Sequence, residues 1–196
     1  GGLHGVGASV VNALSTWLEA VVWRDGGEYY AKFEKGSILE PVKKIGETEK
    51  SGTVIRWAVD SSIFTETTVY NFEVLSTRLR ELAFLNSRIS ITMRDERLST
   101  PKEVTFAFEG GISQFVSYLN ESKQVFPKSP VFIEGEKNDI ICEVAIQYND
   151  GYNENLLSFV NDINTREGGS HLEGFKTALT RVMNDFLKKY PKLVKK

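Results

Sequence analysis

The sequence is poor in cysteine, in proline and in long apolar runs. The scarcity of cysteine and that of long apolar runs each exclude a class of protein. Cys142 is the single cysteine among 196 residues, so no intramolecular disulfide can form and a disulfide-held scaffold is excluded. The apolar runs are short, as at residues 20–23, whereas a membrane-spanning helix needs about 20 apolar residues. With five prolines and 41% hydrophobic residues, the chain has the composition of a folded globular protein.

Charge and targeting signals are equally sparse. The net charge of −2 gives no overall positive field of the kind that marks many nucleic-acid-binding proteins. Residues 188–196 are locally basic; lysines there suit the negative end of a helix dipole, and a DNA-facing role is the alternative. No charged and then apolar leader opens the chain, and a single cysteine suits a reducing compartment, so we expect a cytoplasmic protein without membrane contact.

Hydrophobic spacing predicts a series of helices and strands. We predict helices over residues 10–18, 72–83, 112–119 and 172–190, and strands over 18–24, 28–34, 53–59, 89–93, 104–108, 131–136, 140–148 and 156–163, the last with helix as its alternative. Asp25-Gly26-Gly27 predicts a hairpin turn. Ser170 with Glu173 predicts a capping box at the start of the last helix. We expect Cys142 to be a buried strand residue.

The strongest signal is a glycine-rich segment at residues 1–7 that leads into an amphipathic helix. Gly5 and Gly7 allow a ligand to approach the backbone closely, and a helix N-terminus presents unpaired N–H groups, which suits a polyphosphate. The segment is neither a P-loop nor a dinucleotide fingerprint, because it lacks both Gly-Lys-Ser/Thr and a third spaced glycine after a strand. A plain strand-to-helix turn is the alternative. Because such a loop is an unusual start, we expect the chain to begin within a domain.

Six segments occur in the order in which a known family carries them. They are GGLHGVGASVVNALS at 1–15, GETEKSGT at 46–53, RLRELAFLN at 78–86, FVSYLN at 115–120, QYNDG at 147–151 and GGSH at 168–171. Together they resemble the ATPase subunits of bacterial type IIA DNA topoisomerases, a GHKL family that includes gyrase B and its counterpart in topoisomerase IV. Ala8 departs from the pattern, since family members often carry a larger residue there; this alters the pocket wall and leaves the phosphate loop intact.

The resemblance implies an α+β fold in two parts, with the boundary near Glu109-Gly110-Gly111. Residues 1–108 are expected to form the C-terminal half of a GHKL (Bergerat-type) ATPase domain, with helices on a mixed sheet. Residues 109–196 are expected to form the N-terminal part of an α/β transducer domain, which relays nucleotide state to the DNA gate. Such a divided chain should leave apolar surface uncovered, so by itself it is expected to be poorly stable or to self-associate.

The resemblance also implies a site for ATP. The backbone amides that would hold the phosphates are those of Leu3, His4, Gly5, Val6 and Gly7. Thr53 would reach the adenine through water, and Ile55 would line the adenine pocket. Taken without the resemblance, strand packing is the favoured explanation for Thr53, and a turn residue is the alternative for His4.

Arg24 matches the arginine at the pocket mouth that contacts aminocoumarin inhibitors in the family. Its alternative is an ordinary exposed arginine beside a hairpin turn. His4 and His171 are too few and too far apart in sequence to indicate a metal site.

No catalytic residue is assigned in this chain. The family's general-base glutamate and its Mg²⁺-binding asparagine are expected before Gly1, and the Gln-Thr-Lys triplet that senses the γ-phosphate does not occur. General-base catalysis needs a carboxylate within reach of the attacking water. We therefore expect no ATP hydrolysis by this chain alone, with ATP as the cofactor and the Mg²⁺ ligand outside it.

The implied function is that of part of the ATP-binding and ATP-hydrolysing subunit of a type II DNA topoisomerase, which changes DNA supercoiling or decatenates DNA. The implied partners are the rest of the same subunit, the DNA-cleaving A subunit in a heterotetramer, and DNA. Two alternatives stay open: another GHKL ATPase, such as a chaperone, a mismatch-repair protein or a histidine kinase, and a non-catalytic truncated module or paralogue. The sequence does not separate gyrase from topoisomerase IV.

Overall fold

The structure, a computed structural model, describes residues 6–193. Its helices are α1 (Val6–Ala13), α2 (Phe72–Leu85), α3 (Gly111–Leu119) and α4 (Ser170–Lys189), followed by a 3-10 turn at Pro191–Leu193. Its strands are β1 (Ser15–Arg24), β2 (Gly27–Glu34), β3 (Ser37–Glu47), β4 (Gly52–Val59), β5 (Ser90–Asp95), β6 (Lys102–Ala107), β7 (Val125–Lys137), β8 (Ile140–Asn149), β9 (Phe159–Val160) and β10 (Ile163–Asn164). The α+β class is therefore confirmed. None of the helices in this range has the length and hydropathy to cross a membrane.

The described residues fall into two compact units. The first ends at Asn71 and the second begins at Phe72. Helix α2 and the β5–β6 hairpin, which the sequence assigns to the ATPase part ending at residue 108, thus group with the elements that follow them. The boundary between residues 108 and 109 remains a prediction.

The first unit is built on a four-stranded sheet in the order β3-β2-β1-β4. The β1–β2 hairpin is confirmed, and its turn residues Asp25 and Gly26 have positive φ angles of 51° and 76°, as a tight hairpin requires. Every strand pair in residues 6–193 is antiparallel, whereas the resemblance leads one to expect a mixed sheet.

The two faces of this sheet differ in polarity. On one face Leu18 and Ala31 are buried, and α1 packs against β1 and β2. On the other face Glu19 accepts a hydrogen bond from the Tyr30 hydroxyl at 3.1 Å and pairs with Lys32 at 3.4 Å. Alternation along the strands separates these sets, because successive side chains point to opposite faces. The sheet therefore has buried apolar side chains on one face and a polar hydrogen-bonded group on the other.

Helix α1 is shorter than its apolar spacing predicts. It ends at Ala13, and Trp17 and Leu18 lie in β1. The buried Ser15 hydroxyl donates to the Val11 carbonyl at 2.6 Å, which satisfies a carbonyl at the helix end. The β-branched and aromatic residues that follow favour a strand, and pairing with β2 and β4 makes this segment a strand and not a continuation of the helix.

Strand β3 is absent from the sequence-based prediction. Its burial does not alternate, and it contains Pro41, which has no N–H for a central ladder. Because β3 is an edge strand of this sheet, proline is tolerated there.

The second unit is organised around α2. Its residues Ala83 and Phe84 are buried, together with Phe106 of β6 and Phe115 of α3. The Phe84 ring stacks on Phe108 at 3.6 Å and on Phe115 at 4.8 Å between centroids. The predicted α2, β5, β6 and α3 are confirmed, and this aromatic cluster holds them together.

A network of side-chain amides ties α3 to the long β7–β8 hairpin. Asn120, at the end of α3, is buried; its Nδ2 donates to Gln147 Oε1 at 2.9 Å, and its Oδ1 accepts from Asn149 Nδ2 at 2.9 Å. Gln147 also donates to the carbonyl of Pro127 at 3.0 Å. Two of the family-like segments, FVSYLN and QYNDG, therefore bind each other directly.

Three expectations in the second unit are wrong. Residues 156–163 do not form one strand, because Asn161, with φ of 52°, turns the chain between the short strands β9 and β10. The Ser170–Glu173 capping box is absent: the N-cap of α4 is Gly169, without a side-chain cap, and the Glu173 amide donates to the Gly169 carbonyl. Cys142 is exposed, because it lies in the part of the β7–β8 hairpin, residues 131–143, in which every residue is exposed.

Candidate functional site

The glycine-rich segment is described only in part. Val6 and Gly7 form the first turn of α1, and both are exposed. Leu3, His4 and Gly5 lie outside the described residues. A Cβ added at Gly7 would meet nothing within 4 Å, so open space surrounds this turn. The first N–H groups of a helix have no partner within it, and an accessible first turn can receive an anion.

Thr53 and Ile55 lie on one face of β4. They are two residues apart, and they pair with Val22 and Ala20 of β1 respectively. Thr53 is exposed, and Ile55 is 45% exposed. Thr53 is therefore not a buried core residue, and its side chain is accessible to a ligand.

Arg24 ends β1 beside the hairpin turn. Strand alternation puts it on the same face as Val22, and therefore on the face of Thr53. Its side chain is 78% exposed, and Nε lies 3.1 Å from Asp25 Oδ2. Arg24 is thus an exposed hairpin arginine, and it lies at the rim of the face that carries Thr53 and Ile55.

Arg24, Thr53 and Ile55 lie on one side of the sheet, the side on which Leu18 and Ala31 are buried. Helix α1 contacts β1 and β2, and β4 is exposed on this side at Thr53 and Ile55. Trp57, directly opposite Leu18, continues this side and is 45% exposed. We call this exposed side the β4 face: Arg24 of β1 with Thr53, Ile55 and Trp57 of β4.

Sequence reasoning missed one residue of the β4 face, Trp57, and one residue that borders it, Tyr70. Trp57 Nε1 donates a hydrogen bond to the Tyr70 hydroxyl at 3.1 Å. The alternation of Thr53, Ile55 and Trp57 was the available signal for Trp57. Tyr70 follows a stretch without regular structure, so nothing local in the sequence indicates its partner.

Asp60 joins the end of β4 to the end of α1. Its carboxylate is buried and accepts hydrogen bonds from the Ser62 hydroxyl at 2.6 Å and the Ser62 amide at 2.8 Å, with Lys35 Nζ at 3.8 Å. These contacts, chiefly the Ser62 hydroxyl, hold the pKa of Asp60 below its usual range. The Asp60 amide donates to the carbonyl of Leu14 at 3.1 Å. The junction therefore fixes the segment after α1 against the sheet.

The described part of the chain contains no group of three His, Cys, Asp or Glu side chains arranged to hold a metal ion. The carboxylate of Asp95, whose pKa is lowered to about 2 mainly by hydrogen bonds from the Arg97 side chain, lies at the end of β5 in the second unit. The expectation that the Mg²⁺ ligand lies elsewhere stays a prediction.

Comparison with known proteins gives consistent results along the chain. A sequence model of the DNA gyrase B family matches residues 111–196. The DNA gyrase B protein of Treponema denticola is 93% identical over 196 residues, which is 100% of this chain and 31% of that protein. The DNA gyrase B protein of Bacillus mycoides is 54% identical over 189 residues, 96% of this chain and 46% of that protein.

A solved structure shares the fold. The crystal structure of the 43K ATPase domain of Thermus thermophilus gyrase B in complex with an aminocoumarin superposes with a TM-score of 0.83 at 35% identity. The match covers 98% of this chain and 52% of that one. The chain thus spans about a third to about half of the length of these relatives.

Proposed function

We propose that this chain is part of a protein of the DNA gyrase B family and forms part of the ATP-binding and ATP-hydrolysing subunit of a type II DNA topoisomerase. The β4 face carries this proposal. It leaves Thr53 and Ile55 accessible on one side of the sheet, and the same fold occurs in an ATPase domain of gyrase B.

In this proposal the face and the helix divide the recognition of ATP. The amides of Leu3, His4, Gly5, Val6 and Gly7 hold the phosphates, because a helix N-terminus with glycines offers unpaired donors and a positive dipole end. Thr53 contributes a hydroxyl at the adenine and Ile55 an apolar surface beneath it. Arg24, at the rim, contacts aminocoumarin inhibitors.

The cofactors and partners follow from the same proposal. ATP binds with Mg²⁺, whose ligand comes from residues outside this chain. The ATPase subunit works in the cytoplasm with the DNA-cleaving A subunit, in a heterotetramer, on DNA. Supercoiling fits better than decatenation as the main activity, because the family model and the relatives are those of gyrase rather than topoisomerase IV.

The alternatives have less support. The chain's similarity to gyrase B extends over 96% to 100% of its length, which favours this family over chaperones, mismatch-repair proteins and histidine kinases. A non-catalytic module predicts that the β4 face does not bind nucleotide even in a complete subunit, so nucleotide binding separates the two.

The test uses the complete subunit, with the residues that its relatives carry beyond this chain. Thr53→Val removes the hydroxyl and keeps the shape; we expect the affinity for a non-hydrolysable ATP analogue, measured by calorimetry, to fall about fivefold. Thr92→Val is the matched control, because Thr92 is another exposed strand threonine, hydrogen-bonded to Thr105 at 2.9 Å. No binding by the wild type, or equal affinities in all three proteins, would contradict the proposed site.

A further inference from the structure

Helix α2 is held to the β9–β10 turn at its C-terminal end. Arg78 Nη2 donates a hydrogen bond to the main-chain carbonyl of Asp162 at 2.9 Å. Asn86 Nδ2 donates to the carboxylate of the same residue at 2.9 Å, and also to the Leu82 carbonyl at 2.9 Å. These residues belong to the family-like segment RLRELAFLN, for which the nucleotide site provides no role.

The same helix is held to α3 by Arg80. Its Nη1 donates to the Tyr118 hydroxyl at 2.7 Å, and its guanidinium carbon lies 5.3 Å from the ring centroids of both Phe106 and Tyr118. One turn along α2, Phe84 stacks on Phe115 of α3. The guanidinium group thus bridges the rim of the aromatic cluster.

These contacts cross the predicted boundary between residues 108 and 109. Arg78, Arg80 and Asn86 precede it, whereas Tyr118 and Asp162 follow it. The stacked rings give cohesion with little directional preference, but hydrogen bonds require donor and acceptor to be aligned. The three hydrogen-bonded contacts therefore fix the orientation in which α3 and the β9–β10 turn lie against α2.

We propose that these contacts couple ATP hydrolysis to work on DNA, with Arg80 and Tyr118 as positioning residues that fix α3 against α2. This inference rests on the proposed function, since it concerns how that activity is transmitted. Along the chain, α2 is the first regular element after β4, which carries Thr53 and Ile55. Neither Arg80 nor Tyr118 belongs to the β4 face or to the first turn of α1.

The experiment measures coupling rather than activity alone. The complete subunit, assembled with its DNA-cleaving partner, carries Tyr118→Phe or Arg80→Met, which remove the hydrogen bond and keep much of the packing. We expect hydrolysis of ATP to stay within about twofold of wild type while the linking-number change per ATP hydrolysed falls about threefold to tenfold. A loss of folded protein lowers both rates together and leaves this ratio unchanged.

Two comparisons decide the outcome. Tyr152→Phe alters a fully exposed tyrosine and should leave the ratio at its wild-type value. The double variant of Arg80 and Tyr118 should lose no more than Arg80→Met alone, because the Tyr118 hydroxyl acts through its hydrogen bond to Arg80. A wild-type ratio in the single variants, or additive losses in the double variant, overturns the inference. A wild-type assembly without ATP-dependent supercoiling overturns the proposed function itself.

Discussion

Apolar side chains of similar size lie open on the sheet of the first unit and enclosed around α2 in the second. Ile55 and Trp57 are each 45% exposed, whereas Phe84 is 1% and Phe106 3% exposed. An enclosed cluster stabilises a fold, because all of its apolar surface is removed from water. An open apolar face is instead available to a ligand or to another segment of the protein. The contrast separates the residues that hold this chain together from those that we assign to its site.

The strongest test of this contrast is to truncate one apolar side chain in the α2 cluster and one on the β4 face. In the complete subunit, Phe84→Ala should lower the free energy of unfolding by about 3–5 kcal/mol, because it leaves a cavity among stacked rings. Ile55→Ala should cost about 1 kcal/mol, since half of its side chain is already exposed. Urea or thermal unfolding measures both. Equal losses would mean that the β4 face is as enclosed in the complete protein as the α2 cluster is.

A smaller effect tests whether the second unit depends on its polar network as well as on its rings. Asn120→Ala removes the partners of Gln147 Oε1 and Asn149 Nδ2, and we expect a loss of about 1–3 kcal/mol in the free energy of unfolding. Asn153→Ala, at an exposed position after β8, is the control. If the two variants melt alike, the network is replaced by water at no cost.

Arg24, at the rim of the β4 face, tests whether that face is a binding surface. Arg24→Ala should weaken aminocoumarin binding about tenfold, through the loss of a charged hydrogen-bond donor. The affinity for an ATP analogue and the unfolding free energy should stay unchanged, because Arg24 is exposed and pairs only with its neighbour Asp25 among the described contacts. Calorimetry with both ligands checks this. A parallel loss of nucleotide affinity would place Arg24 in the ATP site instead of at its rim.

The smallest expected effect is the response to acid, and both units should contribute to it. The folded pKa values of Asp60 and Asp95 lie below their usual range, that of Asp95 at about 2, while the unfolded values are near 4. Each carboxylate therefore contributes stability above about pH 4, and this is lost as the pH falls through the folded pKa. Melting curves from about pH 5 to about pH 2 should show a smaller decline for Asp95→Asn than for wild type. An equal decline would show that Asp95 forms no such bonds in solution.

Prediction from sequence succeeded where a signal was local. The β1–β2 turn was predictable because Asp25-Gly26-Gly27 accepts positive φ, and α2 because its apolar residues recur at helical spacing. Prediction failed where contacts with residues far apart in the sequence determine the secondary structure. Trp17 and Leu18 fit a helical period, yet pairing with β2 and β4 makes them strand residues. Residues 156–163 look continuous until Asn161 turns the chain.

The candidate site divides in the same way. The types and order of Thr53, Ile55 and Arg24 were readable from family-like segments and strand alternation. Their common face depends on which strands pair and in which register, since a shift by one residue moves a strand's side chains to the opposite face. Asp60 and Tyr70 border the site through partners that local patterns do not identify: Lys35, 25 residues away along the chain, and Trp57.

By itself the sequence determined the α+β class, the resemblance to a topoisomerase ATPase subunit and the residue types available to hold a nucleotide, because turn chemistry, helical spacing and short motifs are local properties. Only the tertiary structure decided which face of β4 stays open, that Cys142 is exposed, and that RLRELAFLN contacts α3 and the Asp162 turn. These facts depend on contacts between residues far apart in the chain, such as Arg80 with Tyr118 and Asn86 with Asp162. Such contacts arise from packing and strand register, which no short stretch of sequence encodes.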